Sequence, residues 1–136
     1  MATAFRTAGF AAAWDALDGN ISGLTLYDYV PGEETGTPEA NKPYAILAGE
    51  DTSPFDHDGK VGVYIEMTLT VLSAQLGRAE MDTILDAAYA LLHRQTLTAT
   101  GYRVVDSLVY QTQGFVLEDG KTRMGVLRFR ITIQEA

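Results

Sequence analysis

Glu118-Asp119-Gly120-Lys121 separates two long alternating stretches near the end of the chain, and no other segment restricts the fold as tightly. Asp-Gly is favoured at the centre of a two-residue type I′ turn, because both central residues need positive φ. The flanks, Tyr102–Leu117 and Thr122–Gln134, are therefore expected to pair as a hairpin whose partner positions sum to 239. That register sets Tyr110 opposite Phe129 and Leu108 opposite Ile131, an apolar face continued by Leu127 and Ile133. On the other face it sets Gln111 opposite Arg128 and Val109 opposite Arg130. A slip of one residue would carry Phe129 and Ile131 into water, so the expected register is firm.

A hairpin needs a surface to cover its apolar face, and the preceding sequence supplies one. Val61, Val63, Ile65, Met67, Leu69 and Val71 alternate with Tyr64, Glu66, Thr68 and Thr70, which predicts a strand with one buried face. After a turn at 73–77, Met81, Ile84, Leu85, Ala88, Leu91 and Leu92 recur at 3,4 spacing, predicting a helix over 78–94. Phe5, Phe10, Ala13, Trp14 and Leu17 predict an earlier helix over 3–17, capped by Thr3 and stopped at Asp18-Gly19-Asn20. Shorter apolar runs at 24–30 and 44–50 read as strands, and residues 51–60, with Pro54, Asp56, Asp58 and Gly59, as a loop. The expected order is α-β-β-β-α-β-β, an α+β class with an antiparallel sheet and both helices on one face. At 136 residues the chain is expected to form one domain over 1–136.

Charge excludes some functions. Asp plus Glu number 18 against 10 Lys plus Arg, a net −8, which disfavours wrapping nucleic acid or lying on an anionic membrane. The apolar stretch between Arg6 and Asp15 is too short to span a bilayer and reads as part of an amphipathic helix in a protein that stays in the cytoplasm. Without cysteine there is no disulfide, thiolate metal site or Cys nucleophile. His57 falls in a loop, and His93 ends a helix, where the dipole alone favours it. Asp51, Asp56, His57, Asp58 and Gly59 supply only the tail of a Ca²⁺-loop pattern and read as a solvated loop. Gly114 and Gly125 face each other in the hairpin, which suggests a bulge or a close backbone approach. No catalytic, cofactor-binding or metal-ligating set emerges. Arg123, Arg128 and Arg130, on the charged face of the last strand near an expected sheet edge, are the candidates for meeting acidic side chains of the next subunit or of the tube. Asp56 and Asp58 are further subunit or tube interface candidates. Arg128 and Arg130 are expected outside the core, with little weight in folding.

Several segments, taken in order, resemble a family of small phage tail-completion proteins, the tail terminators of long-tailed phages, prophages and gene transfer agents. They include Leu26-Tyr27-Asp28 with Val30-Pro31, then Lys42-Pro43-Tyr44-Ala45-Ile46-Leu47, and Gly49-Glu50-Asp51. The strand ending Leu69-Thr70-Val71-Leu72-Ser73, the helix start Gly77-Arg78-Ala79-Glu80, and Leu92 with Leu97 before Gly101 follow. The closing piece is Phe115 to Arg130, with Asp119-Gly120-Lys121-Thr122-Arg123-Met124-Gly125-Val126-Leu127-Arg128-Phe129-Arg130 at its centre. The chain departs from the family in a longer acidic insert at 31–41, expected with the 51–62 loop to be its most mobile part. The resemblance implies a virion structural protein without catalytic residues or cofactors. It implies a homo-oligomeric ring, commonly a hexamer, that caps the tail-tube protein, stops its polymerisation and offers a surface to the head-tail connector protein. DNA would pass through the ring without specific binding, no membrane would be involved, and assembly would take place in the host cytoplasm. A neck protein, the stopper or adaptor on the head side, is the alternative within that class. A cytoplasmic ligand-binding regulatory domain is the alternative outside it.

Overall fold

Alternation in the middle of the chain organises everything around it. The computed structural model describes residues 4–29, 43–56, 59–73, 77–117, 120 and 122–136. Over them run α1 (Phe5–Leu17), β1 (Thr25–Tyr27), β2 (Tyr44–Pro54), β3 (Gly62–Ser73), α2 (Ala79–Leu92), β4 (Tyr102–Val116) and β5 (Arg123–Glu135). In β3, Ile65, Met67, Leu69 and Val71 are buried, while Glu66 on the opposite face is exposed. The antiparallel register with β5 sets Ile65 beside Ile131, Met67 beside Phe129 and Leu69 beside Leu127, all on the same face. These side chains form the floor of the core, and every one of the six is at most 1% exposed.

Both helices lie on that floor. A Cβ on Gly9 of α1 would collide with Ile65, and one on Gly125 of β5 would collide with Met81 of α2. Glycine at these two points therefore lets helix and strand approach closely. From α2, Met81, Ile84, Leu85, Ala88 and Leu92 are buried, the stripe that 3,4 spacing predicts, with Leu91 half-buried beside it. α1 differs from expectation. Its buried residues are Gly9, Ala12, Ala13 and Leu17, and its aromatic side chains Phe5, Phe10 and Trp14 are only half-buried. Small residues let the helix sit close, and the rings are displaced to its flanks. Thr3 lies outside the described residues, and the cap position is Ala4, without a side-chain bond. At the start of α2, Glu80 and Asp82 complement the helix dipole, and Glu80 Oε1 accepts a 2.5 Å bond from Ser73 Oγ at the end of β3. No helix among the described residues is long and apolar enough to cross a membrane.

The described strands form one five-stranded sheet in the order β1-β2-β3-β5-β4. Element order and helix placement agree with the α+β reading, but β1 runs parallel to β2, so the sheet is mixed. Residues 28–43 separate these two strands. That length permits a parallel return, which a tight turn would not. β2 also continues to Pro54 through a register shift between Ala48 and Asp51, so 51–54 is strand where sequence suggests loop.

The hairpin register holds next to the turn and then changes twice. Val116 pairs with Arg123, Gly114 with Gly125 and Gln111 with Arg128, all summing to 239. Bulges at Tyr110 and Val105 then each insert one residue, so Val109, not Tyr110, stands opposite Phe129. Ser107, not Leu108, stands opposite Ile131, and Leu108 instead faces Arg130. The expected apolar face of β4 is therefore corrected along its lower half. Tyr110 is 55% exposed and Val105 44%, while Val109 is buried. A bulge leaves the extra residue unpaired and bends the strand, which explains both exposures. Residues 118, 119 and 121 fall outside the described residues. Gly120 has φ 71°, in the left-handed region, but the turn is not the two-residue type I′ turn expected. Leu117 N donates to Thr122 O and Gly120 N to Leu117 O at 2.9 Å, whereas a two-residue turn centred on 119–120 would leave the 117–122 pair unbonded.

Candidate functional site

With the helices on one face, the other face of the sheet is open. Arg128 and Arg130 of β5 lie on it, in register with Thr68 and Glu66 of β3, and Asp51 of β2 flanks Glu66 on the far side. The guanidinium of Arg130 sits 4.6 Å from the centroid of the Tyr64 ring, which in turn packs against Phe55 at 4.9 Å. A cation over an aromatic face adds electrostatic attraction to whatever its charge neighbours provide. Arg128 Nη1 donates to Gln111 Oε1 at 3.0 Å, across the hairpin. Both arginines are half-buried. They thus carry more of the fold than a freely solvated pair would, and replacing both by Glu would place new carboxylates beside Glu66 and Asp51. The bulged Tyr110 belongs to the same face. Desolvation raises its pKa most, Glu66 and Asp51 raise it further, and Arg128 and Arg130 oppose them.

Arg123 is not part of this group. Its pairing with Ser73 puts it on the helix side of β5, where it lines a cleft of about 310 Å³ with Arg78, Met81, Asp82, Leu85 and Phe115. Along the α2 wall of that cleft Arg78 Nε meets Asp82, one helical turn on, at 2.7 Å, with side chains 79% and 45% exposed. An ion pair so open to water contributes little to stability. β5 itself is interior, bonded to β3 and β4, so the free edge lies one strand further out, on β4. Asp56 Oδ1 accepts a 3.3 Å bond from Gly62 N and so helps close the turn into β3, and Asp58 lies outside the described residues. Among the described residues no three His, Asp or Glu side chains are grouped to hold a metal ion.

Two features escape a reading of sequence. The first is an aromatic cleft of about 570 Å³ beside β1, lined by Phe10, Trp14, Leu26, Tyr27 and Tyr29. Its signal was present in Phe10 and Trp14 four apart on a helix and Tyr27 and Tyr29 two apart on a strand, but both pairs read equally well as core. The second is His93, whose Nδ1 accepts a bond from Val109 N at 3.1 Å. Such acceptance requires the neutral ring to carry its proton on Nε2. The same ring stacks on Tyr89 at 4.6 Å. His93 therefore covers part of the β4 edge, a contact between residues too far apart for local pattern to reveal.

Most of what is distinctive here is surface: an open charged face, two clefts and two sheet edges. Compared with solved structures, the chain is similar to one from the virion of a native gene transfer agent particle. The TM-score is 0.80 at 22% identity, over 98% of this chain and 99% of the other. At that identity the likeness establishes the fold. No curated protein sequence matches the chain. A family model, described as tail completion protein gp17, matches residues 7–134. With nearly its whole length matched, the chain belongs to the tail completion protein family.

Proposed function

We propose that this protein is a tail terminator: one domain over 1–136 that assembles into a closed ring, caps the tail tube, ends its polymerisation and presents a surface to the head. The family match over residues 7–134 carries this reading. The molecule's physical character supports it. A ring subunit works through shape, strand edges and charge complementarity. The net charge of −8 is compatible with a wall past which DNA slides without sticking. The partners on this reading are other copies of the chain, the tail-tube protein and the head-tail connector, in the tail of a phage-like particle.

The test is assembly. Purified protein added to polymerising tail-tube protein should give tubes closed at one end and bounded in length. Native mass spectrometry should show a discrete oligomer, a hexamer on this reading. Tubes that grow without limit while the protein binds isolated heads would sink the terminator role and identify a neck protein instead. A monomer carrying a bound small molecule would point outside the structural class altogether.

A further inference from the structure

Among the described strands the two outer ones, β1 and β4, are unlike each other, and β4 is unlike itself along its length. In an antiparallel strand the backbone groups of successive residues point alternately toward and away from the partner. Two bonds set the phase on the lower half. Arg94 N donates to Ser107 O at 2.7 Å, and Val109 N donates to His93 Nδ1 at 3.1 Å. Residues 107 and 109 therefore point away from β5 and are already satisfied from the end of α2. Beyond the bulge the phase is set from the turn, where Leu117 N donates to Thr122 O at 2.8 Å. Leu117 points toward β5, so Val116, Gly114 and Thr112 point outward, and no described residue closes them. Over this arm, from Gln111 to Val116, every residue is exposed. Phe115 and Val116 leave 42% and 46% of their surfaces in water.

The opposite edge offers a counterpart. β1 is three residues long, and the arm presents three outward residues. Beside β1 lies the aromatic cleft, with Tyr29 52% exposed at its rim. Charge also differs in sign between the two ends. Asp15 and Asp28 are exposed and line the cleft beside β1, whereas Arg123 and Arg128 lie on the strand that backs the arm. An exposed edge with apolar neighbours is a template for another strand, and native proteins cover such edges unless they use them. Here half of the β4 edge is covered and half is not.

We propose that the 112–116 edge of one copy pairs with the β1 edge of the next, so that the sheet continues from subunit to subunit. Val116, which shares the helix face with the neighbour's aromatic cleft, would pack toward it, and Phe115 would lie with Gln113 on the open face. The contact joins two different surfaces and is therefore heterologous, the kind that closes into a ring and not a two-fold dimer. The His93–Arg94 cover confines pairing to the arm and so fixes its register. This inference rests on the ring reading above and names the surfaces that would build it.

The chain has no cysteine, so introduced thiols report cleanly. Thr25 and Gln113 are both exposed and lie on the open face, through their pairings with Tyr44 and Val126. Rings of the Thr25→Cys, Gln113→Cys double variant, treated with a short bismaleimide, should give a covalent ladder ending at the closed ring. Each single variant should give none. Gly114→Pro removes an outward N–H without touching the β4–β5 ladder. It should raise the concentration needed for assembly by roughly tenfold, the loss of about one hydrogen bond per contact, with circular dichroism unchanged. Rings that form normally but do not cross-link in the double variant would overturn this contact and leave the terminator reading standing. Cross-linking of Gln113→Cys to itself would assign a two-fold β4–β4 contact instead. A wild-type chain that forms no ring even on tubes would sink both.

Discussion

Two stretches of β4 share one partner strand and yet live in different worlds. From Ser107 to Val109 the strand is covered: Ser107 and Val109 are buried, and the end of α2 bonds to its outer edge. From Gln111 to Val116 all residues are exposed, although the pairing with β5 continues without a break as far as Arg123. The change falls at one bulged residue, Tyr110. Regular hydrogen bonding is therefore not what separates the stable part of this hairpin from the accessible part. Burial separates them, because apolar area removed from water supplies most of the driving force while hydrogen bonds exchanged with water contribute little net. The covered half is fold, and the arm is surface.

The sharpest way to break that comparison is to cut the same side chain from each region. Phe129→Ala removes a ring that is 0% exposed from under both helices, and should cost about 3–5 kcal/mol. Phe115→Ala removes the same ring from the arm, where it is 42% exposed, and should shift stability by no more than about 0.5 kcal/mol. Urea denaturation of both variants checks this. A loss at Phe115 approaching that at Phe129 would mean the arm is part of the core after all.

Gly114 and Gly125 give a finer cut, since they are paired with each other across the hairpin. A methyl on Gly125 would meet Met81 Sδ and stand 3.2 and 3.3 Å from the two Leu85 methyls, whereas nothing lies within 4 Å of one on Gly114. Gly125→Ala should therefore cost about 1–3 kcal/mol, softened if the flexible end of Met81 moves aside. Gly114→Ala should gain about 0.5 kcal/mol, because glycine is a poor strand residue and this one has room. Thermal unfolding of the pair, with opposite signs at positions that touch, checks the expectation.

These positions also show what sequence could convey. The β3 face, the α2 stripe and the place of the turn at Gly120, though not its type, were legible because each rests on a period or a dipeptide with a physical meaning. The lower half of β4 was not. Leu108 and Tyr110 on one parity are no more apolar than Val105 and Val109 on the other, so alternation could not choose a face, and two bulges chose it. Ser107 took the core position expected of Leu108, and its Oγ is buried without a partner among the described residues. The parallel sense of β1 was hidden for another reason: a three-residue strand has no periodicity to read, and its direction depends on a long connection. The candidate arginines were placed correctly on β5, but whether a strand is an edge is decided by the whole sheet order, which no local pattern contains.

The cover on the β4 edge provides the third test. His93→Ala deletes the acceptor for Val109 N, leaving an amide that must find water at the margin of the core, and should cost about 1 kcal/mol. Hydrogen exchange sharpens the comparison further. In the wild-type monomer the Val109 amide should exchange slowly and the Gly114 amide fast. In His93→Ala, Val109 should move toward the arm's rate while Gly114 does not change. If Val109 kept its protection, the edge would be shielded by burial alone and the histidine would be incidental.

The smallest expected effect belongs to the boundary residue. Burial raises the pKa of the Tyr110 phenol first, and the carboxylates of Glu66 and then Asp51 push in the same direction against Arg128 and Arg130. An acid whose folded pKa is raised binds its proton more tightly in the native state than in the unfolded chain. Its contribution to stability is therefore complete below pH 10.0, the ordinary value, and is lost as pH rises through the higher folded value. The ring is 55% exposed, so solvent screens these interactions and the loss should be slight. Other tyrosines and lysines titrate in the same range, so the informative quantity is a difference. Tyr110→Phe should match wild type in stability near pH 8 and lose less of it between about pH 9 and 11, where phenols ionise. Parallel denaturation curves across that range would place Tyr110 on the arm's side of the boundary, and a clear advantage for the phenylalanine variant would place it with the covered half.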